Sequence, residues 1–150
     1  MDNNTQQNFI YVSGAAPNNH SGCTKGGVGV AVYNSEGGFV FERFITVDRA
    51  TDNAELELMA LVEGLEYAQD GDVIYSVSDF CVKGYNEWLD GWKSKGWRKT
   101  DKKPVAYRSF WLQVDSLRSG QYVEVVKIKA HSGIKGHKRA DDLASMAAQK

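Results

Sequence analysis

The chain is poor in cysteine and in proline. Its two cysteines, Cys23 and Cys81, form neither a metal-cluster spacing nor a disulfide framework. This excludes a small stapled extracellular scaffold. It reads instead as reduced thiols in a cytoplasm, with Cys81 in the core and Cys23 in a loop. Two prolines, Pro17 and Pro104, leave no proline-rich linker. No apolar run approaches the roughly 20 residues of a membrane span, so no membrane partner is expected. The stretch from Met1 to Asn8 lacks both a basic and an apolar region, so it reads as a short disordered lead-in rather than a secretory leader. Repeats and low-complexity tracts are missing. So is an excess of charge of one sign: the formal net charge of −1 argues against a general nucleic-acid binder.

What is present is enough for one domain with a real core, spanning 9–150 and expected to be a monomer: 150 residues, 42% hydrophobic and 25% charged. The charge is unevenly spread. Lys93, Lys95, Arg98, Lys99, Lys102, Lys103 and Arg108 stand against one acid, Asp101. Lys127, Lys129, Lys135, Lys138 and Arg139 form a second basic group. A solvated surface would explain both, but Trp88, Trp92 and Trp97 in or just before the first group make that a less comfortable account.

Hydrophobic spacing predicts strands at Phe9–Val12, Val28–Tyr33 and Phe39–Val47. The turn chemistry of Asn34-Ser35-Glu36-Gly37-Gly38 joins the last two into a hairpin. Leu58, Leu61, Val62, Leu65 and Ala68 recur at helical spacing after Asp52 or Asn53, and Asp70-Gly71-Asp72 stops that helix. A strand over Val73–Val77, a helix from about Asp79 to Leu89, and interruptions at Gly91 and Gly96 follow. Pro104 suits the first turn of a helix running to about Arg118. A strand over Tyr122–Lys129 and a closing helix over Arg139–Gln149 complete the order β-β-β-α-β-α-α-β-α. Hairpins first and crossovers later predict an α/β fold. Its mixed five-stranded sheet, three antiparallel strands followed by parallel ones, would be flanked by helices.

Several stretches carry a family resemblance. They are the run from Val82 to Val105 with its Lys95-Gly96-Trp97-Arg98-Lys99-Thr100-Asp101-Lys102-Lys103-Pro104 core, the glycine turn Gly26-Gly27-Val28-Gly29, the helix start Thr51 to Ala60, the loop Ala130-His131-Ser132-Gly133, and Arg139-Ala140-Asp141-Asp142-Leu143-Ala144. In these the chain resembles a type 1 ribonuclease H, an enzyme that cuts the RNA strand of an RNA–DNA hybrid. The Val82–Val105 run resembles the family's basic substrate handle. The resemblance implies the ribonuclease H fold and a site of four carboxylates holding Mg²⁺ or Mn²⁺. The first-helix acid falls on Glu57, with Glu55 competing because this helix start carries one extra residue. The C-terminal acid falls on Asp141 and the mobile-loop histidine on His131. Glu57 and Asp141 are thus the expected metal ligands and, with His131, the expected catalytic positions.

Two of the four acids are not where the resemblance calls for them. The first-strand Asp-Gly pair reads Ser13-Gly14, and the fourth-strand Asp-Ser pair reads Val77-Ser78. Moving the register to use Asp79 requires a compensating gap. Two divalent ions ~4 Å apart repel by roughly 17 kcal/mol at an effective dielectric of 20, and anionic ligands must offset that. A serine hydroxyl is neutral and valine offers no oxygen. Metal-dependent cleavage is therefore expected to be lost or severely weakened, with a single weakly held cation at most. Each retained residue also has a plain reading: Glu57 and Asp141 as acids favoured near helix N-termini, His131 as an exposed loop histidine. Hybrid recognition uses other groups, for which the resemblance implies Gly26, Gly27, Asn53, Asn18 or Asn19, Lys95, Trp97, Lys99, Lys102 and Lys103. Three functions remain open: a hybrid-binding pseudoenzyme, a working ribonuclease H, and a protein-interaction module on the same scaffold.

Overall fold

The structure is a computed structural model that describes residues 7–17, 24–49 and 51–150. Its strands are β1 (Asn8–Ala15), β2 (Gly26–Asn34), β3 (Phe39–Val47), β4 (Val73–Ser76) and β5 (Glu124–Lys127). They form one sheet in the order β3-β2-β1-β4-β5. The β3-β2-β1 pairs are antiparallel, and β1-β4 and β4-β5 are parallel. The helices are α1 (Asn53–Tyr67), α2 (Asp79–Lys83), α3 (Leu89–Ser94), α4 (Arg108–Arg118) and α5 (Lys135–Ala148), with a π-helical turn over Gly84–Trp88 between α2 and α3. The expected α/β architecture and its mixed five-stranded sheet are present. None of the described helices is long and apolar enough to cross a membrane.

Strand alternation divides the sheet into two chemically distinct faces. On one face Ile10, Val12, Val28, Val30, Val32 and Ile74 meet Leu58, Leu61 and Leu65 of α1 in the main core. On the other, Gly27, Gly29 and Ala31 of β2 leave room for α5. A Cβ on Gly27 would fall onto the carbonyl of Ala144, and one on Gly29 onto that of Ala140. β2 is thus buried on both faces, by branched residues on one side and by missing side chains on the other.

Asp52 caps α1, its carboxylate accepting from the Glu55 N–H at 2.8 Å. Asp72, nearly fully buried, accepts from the N–H groups of Asn8 and Gln69 at 2.9 Å, tying the start of β1 to the end of α1. Across β5, the Tyr85 hydroxyl and the Asn86 amide donate to the carbonyls of Val123 and Val125. The buried Trp111 of α4 packs over Gly84, where any side chain would collide with its ring.

Several sequence expectations need correction. Gly26 and Gly27 are not in a turn. They lie buried in β2, Gly27 level with Ala15 of β1 and Thr46 of β3, and Gly26 with Val47 of β3. Pro104 does not open a helix; its backbone bridges to Arg98, and α4 begins at Arg108 after Tyr107 takes a left-handed conformation with φ 57°. Gly91 does not interrupt, since α3 runs through it to Ser94. β4 ends at Ser76, β5 covers only Glu124–Lys127, and α5 starts four residues before Arg139. Asn8 already belongs to β1. Residues 1–6, Asn18, Asn19 and Cys23 lie outside the described residues. Cys81 is a fully buried free thiol, as expected.

Gly29→Ala should destabilise the fold by about 2 kcal/mol or more, because a new methyl must displace α5 backbone rather than a flexible side chain. Urea unfolding of the variant beside the native chain measures this. An unchanged midpoint would mean that α5 does not sit this close.

Candidate active site

Three of the sequence-selected side chains meet where the ends of β1, α1 and α5 converge. Ser13 alternates with Tyr11 and so points toward α5, where it is 2% exposed. Its Oγ donates to Asp141 Oδ1 at 3.1 Å, across 128 residues of chain. Gly14 follows, and its N–H donates to Glu57 Oε1 at 2.8 Å. A Cβ on Gly14 would lie 2.7 Å from the backbone carbon of Leu56, so the missing side chain is what lets β1 touch the first turns of α1.

Glu57 is not the exposed helix acid of its plain reading, for it is 6% exposed. Burial pushes its carboxyl up to about 7; the Gly14 N–H works against that rise, and the nearby Asp141 charge adds to it. The Cys81 thiol beside it is pushed up to about 12, mainly by burial, with the Ser78 bond opposing and Glu57 contributing. Cys81 is therefore a neutral core residue rather than a nucleophile.

The rival acids are engaged elsewhere. Glu55 accepts from Arg49 at 2.9 Å and from the Thr51 hydroxyl at 2.6 Å. Asp79 is exposed and paired with Lys127 at 2.8 Å, and the Lys127 bond holds its carboxyl below the usual range. The β1–β4 ladder ends at the pair Tyr11–Tyr75, two residues short of Ser13 on β1 and of Val77 after β4. Val77 itself is half-buried at a bend, and Ser78 caps α2 by accepting from the Cys81 N–H. Among the described residues no three His, Cys, Asp or Glu side chains are grouped to hold a metal ion.

His131 is exposed in its loop with φ 57°, two residues before Gly133 at φ 83°. A second histidine escaped the sequence reading. His137 lies one helical turn before Asp141 on α5, 7% exposed, and its Nδ1 finds no hydrogen-bond partner among the described residues. Burial lowers its pKa, Asp141 raises it and His131 lowers it further. The i, i+4 spacing to Asp141 was the available signal. Tyr107 was missed too: its hydroxyl donates to both carboxylate oxygens of Asp52 at 3.0 and 2.9 Å, fastening the start of α4 to the cap of α1. Nothing in the local sequence marks a tyrosine for a left-handed backbone.

The basic protrusion surrounds Trp97 and its neighbours. Trp88, Trp92 and Trp111 form a ring-to-ring chain, with centroids 5.8 and 5.3 Å apart, that anchors it to the core. Trp97 adopts φ 64° and packs against the core's rim. Lys93 pairs with Asp115 at 3.1 Å. Lys95, Lys99, Lys102 and Lys103 are exposed and have no ion-pair partner among the described residues. Asn53 opens α1, exposed, at the same end of the molecule as Tyr107's partner Asp52.

Three antiparallel strands continued by two parallel ones, with carboxylates gathered at the junction of β1, α1 and α5, define the ribonuclease H class of fold. The RNase H family model matches residues 5–149. The ribonuclease H of Cupriavidus metallidurans is 34% identical over 142 residues, covering 93% of this chain and 94% of that protein. Among solved structures, a foamy viral protease-reverse transcriptase in complex with dsDNA superposes with a TM-score of 0.83 at 23% identity, over 95% of this chain and 94% of that one. LC11-RNase H1 in complex with RNA/DNA hybrid gives 0.70 at 19% identity, over 95% and 97%. The chain belongs to the ribonuclease H family.

The Glu57 carboxyl has a pH signature. It holds its proton more tightly folded than unfolded, so the stability this confers is full below the ordinary carboxylate range and lost as the pH rises through about 7. Glu57→Gln has no such loss. The variant should gain on the native chain by about 3 kcal/mol between about pH 4 and about pH 8. Urea unfolding free energies at both pH values measure the gain; a pH-independent difference would place the Glu57 carboxyl in water.

Proposed function

We propose that this chain recognises RNA–DNA hybrids and that its metal-dependent cleavage of the RNA strand is lost or severely weakened. The observation that carries the proposal is the Ser13–Asp141 bond. Where the family resemblance calls for a carboxylate, the site holds a neutral hydroxyl that occupies an oxygen of one remaining acid. The other remaining acid, Glu57, already accepts from the Gly14 N–H. Two such carboxylates do not fit a pair of divalent ions, whose mutual repulsion needs several full negative charges close by. A single Mg²⁺ or Mn²⁺ held weakly by Asp141 and Glu57 remains compatible with the donors.

The binding half of the proposal rests on the protrusion. Uncompensated cations on a rigid, tryptophan-anchored arm suit a phosphate backbone, and each phosphate neutralised adds about −0.9 to the salt slope on duplex DNA. Lys95, Lys99, Lys102 and Lys103 are assigned to that contact, with Trp97 and Asn53 beside the sugar-phosphate chain. His131, exposed on its loop, occupies the position of the family's mobile histidine. The cytoplasm suits Cys81 as a free thiol, and a monomer suffices for every contact proposed. The name of the Cupriavidus relative favours the competing reading, a working ribonuclease H, and the assay below separates the two.

Labelled RNA–DNA hybrid is incubated in Mg²⁺ and then in Mn²⁺ with the native chain and with Ser13→Asp/Val77→Asp. Both proteins should bind, and only the double variant should cut the RNA strand. Cutting by the native chain at a rate comparable to an active relative would overturn the loss of cleavage. Absence of hybrid binding by either protein would turn the fold over to a protein partner. Lys99→Gln/Lys102→Gln/Lys103→Gln should flatten the dependence of log affinity on log salt by about 2 to 3. Fluorescence anisotropy across a salt series reads that slope, and an unchanged slope removes the protrusion from the interface.

A further inference from the structure

The sheet face that carries α5 is not covered along its whole length. α5 lies over Gly27, Gly29 and Ala31, and its first turn reaches Tyr11 through Gly136. Beyond that turn the sheet presents rings. Phe9 and Tyr11 of β1, Tyr33 of β2 and Tyr75 of β4 share this face, because residues two apart on a strand and level across strands point the same way. Tyr11 and Tyr75 are stacked, with centroids 5.0 Å apart and planes at 18°. Phe9 meets Tyr75, and Tyr33 meets Tyr11, edge-on at 6.0 Å. All four rings are partly exposed. Phe9, Tyr11, Tyr33 and the start of α5 enclose a cleft of about 250 Å³.

The rim of the cleft decides what fits it. Lys135 lines it and has no ion-pair partner among the described residues. Asn34 spends its side-chain oxygen on the N–H groups of Glu36 and Gly38 and keeps its amide nitrogen for a ligand. Ser35 adds a hydroxyl at the same edge. The cleft therefore offers flat aromatic walls below and donors with a positive charge above. Its complement is flat, apolar on its faces, rich in acceptors at its edge and anionic.

We infer that this cleft binds one unpaired nucleotide at the end of a nucleic-acid strand, its base against Tyr33 and Tyr11 and its phosphate at Lys135. Stacking on aromatic side chains is indifferent to base identity, since every base has a π-face. The inference rests on the reading that the chain engages nucleic acid. β1 connects the two places: Ser13 and Phe9 lie on the same strand face, four residues or about 13 Å apart.

The test compares a blunt RNA–DNA hybrid with the same hybrid carrying a short unpaired oligothymidylate extension, by fluorescence anisotropy, alongside free oligothymidylate. The extension should tighten binding by about five- to tenfold. Tyr33→Leu and Lys135→Ala should each lose most of that gain while keeping blunt-hybrid affinity within about twofold. Lys135 is exposed, so its variant tests the cleft even if Tyr33→Leu fails to fold. If the blunt hybrid binds and the extension adds nothing, or the gain survives in Lys135→Ala, the inference is wrong while hybrid recognition stands. If the blunt hybrid does not bind, hybrid recognition fails; oligothymidylate binding lost in Lys135→Ala would then still sustain the cleft, and its absence would overturn it. Self-association of the native chain that disappears in Lys135→Ala would assign the cleft to a second copy and also overturn it.

Discussion

The distance between α5 and β2 governs the rest of the molecule. Gly27 and Gly29 give up side chains so that the carbonyls of Ala144 and Ala140 can come down onto the sheet. Asp141, lying between them in sequence, is carried to β1 by that descent and meets Ser13. A second close approach, Gly14 against Leu56, brings Glu57 to the same place from the opposite face of the sheet. The site is thus a product of three backbone contacts that only glycine permits, two on the α5 face and one on the α1 face. Its carboxylates are positioned by steric absence more than by attraction between side chains.

That origin explains the electrostatics. An acid pressed against a strand end by the packing of a helix loses water whether or not a partner has been supplied. Glu57 receives one N–H and little else, so burial outweighs its hydrogen bond. Ser13 gives Asp141 a donor in place of another negative charge, which relieves repulsion at the same spot. The arrangement is stable as a hydrogen-bonded junction. On the basic protrusion, by contrast, Lys95, Lys99, Lys102 and Lys103 have no ion-pair partner among the described residues, and solvent makes their isolation inexpensive.

The strands and the first helix were legible because their period is local: alternating valines in β2, and leucines at three- and four-residue spacing in α1. The site was legible through family resemblance at Ser13, Glu57 and Asp141, which the fold does bring together. What escaped was set by tertiary contact. Gly26 and Gly27 look like a turn on propensity alone, yet both lie within β2, where Gly26 makes room for Leu56 of α1 and Gly27 for α5. Pro104 looks like a helix start, yet pairing with Arg98 takes its backbone and Tyr107 delays α4 until Arg108. His137 is unremarkable in a polar stretch and becomes buried only because α5 begins earlier than its apolar pattern indicates.

Asp52 links two elements that the sequence separates widely. The same carboxylate stops the first turn of α1 from fraying and receives the Tyr107 hydroxyl, whose proton it helps retain up to about pH 12. Tyr107 holds the return of the basic arm into α4. Amide hydrogens at the start of α1 and along the arm's return should therefore open as one unit, on one timescale, rather than as a helix end and a loop each following its own. The arm behaves as a lever pinned at the mouth of α1, and a load on it is felt within one turn of Glu55.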